Sequence, residues 1–325
     1  MHITVTETLA SGLKNRFFYE STNEAEKIKK ILTTELSKPA GNRSKFAKMV
    51  ASTKKSLINH ALLFYEGGSS SKPYIAFDLL LAVKDREYNS WNEKCLMGYS
   101  TLVNCNPSYY DYDCAYYSIS EHTISRLFLR TQPTIKEGVI DCMAIKKELT
   151  HIPLWSNFWL NIVQIINLEN HEGKIFPIIP TINGLLLCEF SKNTQFLEIR
   201  TFIDDKNLTT DQNEAKNCLI KIGADLNQSP LSISRIFEKN PIEYTTILFG
   251  ILCKRLHKDN GWKAVKNTIF YRVKDELERK EAITRLDCFF EEVTPKIDMQ
   301  IFNLFSEIGV GKFQKIINDA KLKNR

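Results

Sequence analysis

A chain of 325 residues, 43% hydrophobic and 25% charged, has the balance of a globular protein, with disorder expected only at the tips. Its eight cysteines show no C-x-x-C pair, so no structural zinc site is signalled. The net charge of +6 gathers at the two ends: residues 1–60 hold 11 lysines and arginines against 5 acids, and residues 250–325 hold 16 against 11. Basic ends around a mildly acidic centre suit contact with nucleic acid or another acidic partner, and equally suit plain solubility. The opening residues, MHITVTETLASGLKNRF, lack a charged region followed by an apolar core. No secretory signal is read there, so a cytoplasmic location with reduced thiols is expected.

Taken in chain order, NEAEKIKKILTTEL (residues 23–36) places Ile28, Ile31, Leu32 and Leu36 at helical spacing, with Asn23 and Glu26 spaced as an N-terminal cap. Pro39 and Gly41 break that helix. A second helix is expected over 44–59, where Lys45, Lys48 and Lys55 recur at near-helical intervals as a candidate nucleic-acid-binding face or a solvated one. HALLFYEG and KPYIAFDLLLAVKD flank a GGSSS loop and predict a hairpin, with CLMGYSTLVNCN as a further strand. PSYYDYDCAYY gathers tyrosines and aspartates and reads as a half-buried strand or folded loop.

SISEHTISRLFLRT (residues 118–131) predicts an amphipathic helix capped by Ser118 or Ser120 and ended by Gln132-Pro133. His122, Arg126 and Arg130 fall at successive spacings of four, about 40° apart on a helix, and so share one stripe. After it, PTIKEGVIDCMAIKKEL and the apolar run IPLWSNFWLNIVQIINL (residues 152–168) predict a helical pair. Pro153, Asn157, Asn161 and Gln164 interrupt the second, which is shorter than the roughly 20 apolar residues a membrane span needs; a buried core helix is expected and no membrane partner. GLLLCEF and QFLEIRTFI, either side of SKNT, predict a second hairpin. Beyond Thr209 helices are expected near 210–225, 230–239, 242–258, 261–281, 283–292, 297–308 and 311–323, with breaks at Pro230, Pro241, Gly261 and Pro295. The whole predicts an α+β protein: a mixed region of antiparallel strands packed on helices over 1–206, then an all-helical region over 207–325.

A histidine beside two arginines on one helix suits phosphodiester cleavage without a metal. The imidazole titrates near neutrality and can take a proton from a ribose 2′-OH or give one to the leaving oxygen. Guanidiniums can offset the charge that builds on the phosphate in the transition state. The RNA supplies its own nucleophile, so no Ser or Cys elbow, metal cluster or cofactor is needed. The same spacing also suits the wet face of an ordinary amphipathic helix.

SEHTISRLFLRT resembles the S-x-H-A-x-x-R-x-x-x-R helix of toxin-type ribonucleases of the barnase, EndoU, colicin and RelE group, with Thr123 where that group has alanine. The resemblance implies a helix laid on a small antiparallel sheet, here supplied by GLLLCEF and QFLEIRTFI. It implies His122 as the acid/base, Arg126, Arg130 and Arg200 as phosphate ligands, and Thr201 as a substrate-positioning hydroxyl. The activity it implies is metal-independent cleavage of RNA, rather than DNA, by a toxin or defence effector.

Two other classes stay open. A non-catalytic nucleic-acid- or protein-binding adaptor would use the basic ends, including Lys312 and Lys315 in EIGVGKFQKII (residues 307–317). That segment loosely resembles the hairpin of helix-hairpin-helix DNA binders. Its Gly309 and Gly311 could expose backbone N–H groups to a phosphate or simply cap a helix. A metal-dependent hydrolase would draw on Asp78, Asp111, Asp113, Glu189, Asp204 and Asp205. His2, His60, His151, His171 and His257 stand isolated and suggest no role.

Overall fold

A computed structural model describes residues 5–31, 43–57, 61–68, 73–81, 92–104, 115–131, 135–136, 139–140, 143–165, 175–191, 196–228 and 244–306. The chain is an α+β protein. Two helices, α1 (Glu7–Ile31) and α2 (Arg43–Leu57), precede four strands: β1 (Ala61–Gly68), β2 (Pro73–Leu81), β3 (Cys95–Asn104) and β4 (Ala115–Ser120). Helix α3 (Glu121–Thr131) leaves β4 directly. A two-stranded ladder, β5 (Ile135–Lys136) with β6 (Val139–Ile140), leads to helices α4 (Met143–Leu149) and α5 (Ile152–Ile165). Strands β7 (Ile178–Pro180), β8 (Gly184–Ser191) and β9 (Phe196–Asp204) follow, then helices α6 (Thr210–Gln228), α7 (Tyr244–Lys258), α8 (Trp262–Ile269) and α9 (Glu276–Ser306).

Seven strands form one mixed sheet in the order β1-β2-β3-β4-β9-β8-β7. It is two antiparallel meanders joined by a single parallel seam, where Tyr117, Ser118 and Ile119 of β4 pair with Leu197, Glu198 and Ile199 of β9. Alternation sorts the side chains. Leu80, Leu96, Tyr117, Ile119, Leu186, Cys188, Leu197, Ile199 and Phe202 join the main core. Leu79, Leu81, Met97, Ser118 and Glu198 are buried on the opposite side. At β8 the run Leu185–Cys188 is buried without a break, as befits a strand covered on both faces.

The apolar run of α5 is the centre of that core. Trp155 and Trp159 are fully buried, the Trp159 indole donates to the Ile178 carbonyl at 2.6 Å, and the Phe158 ring touches those of Phe249 and Phe290. Helix α6 packs on α8, and α9 on α7, so one continuous core runs from Val5 to Phe290 across residue 207. No helix among the described residues is long and apolar enough to cross a membrane.

Several expectations need correction. The first helix starts at Glu7 with Thr6 as its cap, the Leu9 N–H donating to the Thr6 hydroxyl at 3.3 Å, so Asn23 and Glu26 lie mid-helix. The segment from Ile135 is not helical at first: β-branched Ile135, Val139 and Ile140 pair as strands before α4 begins. The helix expected over 261–281 stops at Ile269. Asp275 caps the next one, accepting the Glu278 N–H at 2.9 Å. Pro295 does not break the chain into two helices but sits inside α9, at an exposed position. The expected helices at 230–239 and 311–323 and the break at Pro39 and Gly41 lie outside the described residues.

Candidate functional site

Helix α3 begins where β4 ends because Ser120 caps it: the Thr123 N–H donates to the Ser120 hydroxyl at 3.2 Å. Once β4 has turned into a helix, the rest of β9 has no strand on that side. Helix α3 lies there instead, and its polar side chains take the bonds a strand would have made. The fully buried Thr123 hydroxyl donates to the Ile199 carbonyl at 3.0 Å and contacts the Ser120 hydroxyl at 2.9 Å. Ser120 donates to the Arg200 carbonyl at 3.3 Å. Arg126 donates to the Thr201 hydroxyl at 2.9 Å. Arg130 reaches the Phe202 carbonyl at 3.3 Å and the Asp204 carboxylate at 2.9 Å. The position where the resembled motif has alanine is therefore a seam contact in this chain.

The stripe and the strand meet as one cluster. His122 is exposed at the start of α3. Partial burial lowers its pKa below the ordinary value, the guanidiniums of Arg126, Arg200 and Arg130 push the same way, and Glu93 opposes them. The net balance favours the neutral imidazole. Arg200 is the extra residue of a β-bulge: Leu187 pairs with Thr201 and Cys188 with Ile199, leaving Arg200 unmatched. Bulges re-aim side chains and recur beside active sites. Here the bulge swings Arg200 among three carboxylates, at 3.8 Å from Glu93, 3.6 Å from Glu189 and 3.8 Å from Glu198. Glu198 is almost wholly buried, and a carboxylate in that position calls for a cation nearby.

Of the residues expected at the site, His122, Arg126, Arg130, Arg200 and Thr201 are brought to one seam, although the two groups lie some 75 positions apart in sequence. Lys45, Lys48 and Lys55 are exposed on α2. Lys312 and Lys315, with Gly309 and Gly311, lie outside the described residues, as do Asp111 and Asp113. The other carboxylates are engaged with different partners: Asp78 accepts the Tyr116 hydroxyl at 2.6 Å, Asp204 meets Arg130, and Asp205 meets Lys216 at 2.5 Å. Among the described residues no group of three or more His, Cys, Asp or Glu side chains is placed to hold a metal ion.

Glu93 and Glu189 were not legible as partners of Arg200, because each comes from a separate stretch of sequence. A cavity of about 420 Å³ opens on the α1 side of the start of α3, lined by Asn15, Phe18, Tyr19, Thr22, Lys94, Cys95 and Glu121. It borders the stripe through Glu121 but is not lined by His122, Arg126 or Arg130. Comparison of the chain with protein-family models, with curated proteins and with solved structures finds no match to any of them.

Proposed function

We propose that this protein is an RNA-directed, metal-independent endoribonuclease of the toxin or defence-effector type, with His122 as the proton-transfer group. One observation carries the reading: an exposed imidazole, its pKa lowered by its surroundings, shares a seam with Arg126, Arg130, the bulged Arg200 and Thr201. A neutral imidazole is ready to accept the 2′-OH proton. Guanidiniums alongside it stabilise charge on the phosphate as the 2′ oxygen attacks and the 5′ oxygen leaves. No residue of this chain has to form a covalent intermediate.

A second reading, a non-catalytic adaptor for nucleic acid or protein, is favoured by a specific feature. Arg126, Arg130 and Arg200 each already hold partners within the fold, so the stripe also serves to close the edge of β9. Incubating the purified protein with total RNA, with and without EDTA, beside His122→Ala, separates these. The expected result is cleavage that resists EDTA and falls about 100- to 10,000-fold in the variant. Cleavage abolished by EDTA but indifferent to His122 would move the assignment to a metal-dependent hydrolase. Absence of cleavage in every arm would favour the adaptor.

A further inference from the structure

Crossing the sheet from the stripe, a second cationic group comes from the helical part of the chain. Arg272, in the turn between α8 and α9, lies 3.9 Å from one oxygen of Glu189, whose other oxygen is 3.6 Å from Arg200. One carboxylate thus tethers two guanidiniums, one from each part of the chain. Arg272 is also held from below: its guanidinium sits 4.1 Å from the centre of the Phe176 ring, and its Nε donates to the Tyr271 hydroxyl at 2.8 Å. Phe176 is buried and fixed by its N–H bond to the Ile269 carbonyl at 2.9 Å. The turn is therefore pre-organised, yet its tips are open. The Arg272 side chain is 55% exposed and Tyr271 is 46% exposed.

We infer that Tyr271 and Arg272 form a remote binding subsite for single-stranded RNA, continuing the track that starts at His122. The inference rests on the proposed RNA-directed function and names where the strand runs. The track passes from α3, which leaves β4, to Arg200 on the neighbouring β9, to Glu189 on β8, and to Arg272, 3.9 Å from Glu189. With strands about 4.8 Å apart, it spans a length that a few nucleotides cover. An exposed aromatic ring beside a positioned guanidinium is the pairing that single-stranded nucleic acid selects: a base stacks on the ring and the neighbouring phosphate meets the cation. Stacking is indifferent to base identity, so the subsite extends the footprint without fixing a sequence.

The test uses the full chain carrying His122→Ala, to prevent turnover, and a fluorescent 12-nucleotide RNA read by anisotropy. Arg272→Gln and Tyr271→Ala, each checked for an unchanged circular dichroism spectrum and thermal midpoint, are added singly. Affinity is expected to fall about tenfold in each. In Arg272→Gln the slope of log affinity against log salt is expected to shrink by about 0.7, the loss of one phosphate contact to a single strand. In the otherwise wild-type protein, Tyr271→Ala should leave cleavage of a dinucleotide unaltered and slow cleavage of the 12-mer. Affinity and salt slope equal to the parent in both variants would overturn the subsite while leaving the proposed ribonuclease intact. Neither binding nor cleavage of RNA by the parent protein would overturn both. If Tyr271→Ala unfolds the turn, Tyr271→Leu tests the same loss of stacking.

Discussion

At the scale of single residues, proton binding gives the clearest consequence. His122 has its pKa lowered, first by burial and then by Arg126, and burial lowers that of His151 against the pull of Glu148. In the unfolded chain both imidazoles titrate near 6.5. As the pH falls through that value the unfolded state takes up protons before the native state does, so stability drops. It levels off only below the folded-state values, and well above pH 6.5 the effect is absent. Urea midpoints are expected to be lower at pH 5.5 than at pH 8, with part of the difference removed in His122→Gln and His151→Gln. In an NMR titration His122 should lie below 6.5 and move upward in Arg126→Gln; no movement would remove Arg126 as a cause. Asp204 shows the opposite balance. Burial pulls its carboxyl up, but the Asn207 amide and Arg130 outweigh that and hold it below its usual range.

At the scale of elements, the α3–β9 seam depends on a threonine. Thr123→Val keeps the shape and removes the hydroxyl, leaving the buried Ile199 carbonyl without that donor. A loss of about 1–3 kcal/mol is expected, read as a shift in the urea midpoint at unchanged slope. A change under about 0.5 kcal/mol would show that the seam is held by apolar packing alone.

Element by element, legibility followed pattern strength. Strands β1 and β2 flank a glycine-serine loop, and β8 and β9 flank SKNT, so alternation and turn chemistry both pointed to hairpins. The stripe on α3 was legible because helical periodicity alone puts His122, Arg126 and Arg130 together. The gap between α8 and α9 was not, because TIFYRVKDELERK holds neither glycine nor proline. The helix gives way there to tertiary contacts, Ile269 bonding Phe176 and Arg272 stacking on it. Asp275 with Glu278 three residues on did carry the signal of a fresh N-terminus. Pro295 erred the other way, a breaker tolerated at an exposed position of a long helix. Glu93 and Glu189 reach Arg200 only through strand order and a bulge, which no local pattern encodes.

At the scale of the whole molecule, the helices after residue 207 complete the sheet's core. Leu219, Ile222, Leu252 and Phe290 belong to the same buried cluster as Leu186 and Trp159. One cooperative unfolding transition is expected, with far-ultraviolet dichroism and tryptophan fluorescence coinciding. Two separated transitions would show that the helical region melts on its own despite the shared cluster.

The parallel seam has a further consequence, in time. Each meander joins neighbours in sequence, but β4 can meet β9 only after the roughly 80 residues between them have been made and gathered in. Closing so long a loop is slow relative to hairpin formation, and nothing local rewards it beforehand. During synthesis, a chain that ends before Phe196 already carries His122, Arg126 and Arg130 but lacks the strand that orders them. The cluster is therefore expected to assemble only once β9 is in place, and a nascent or truncated chain that ends before it carries the stripe's residues without their β9 partners.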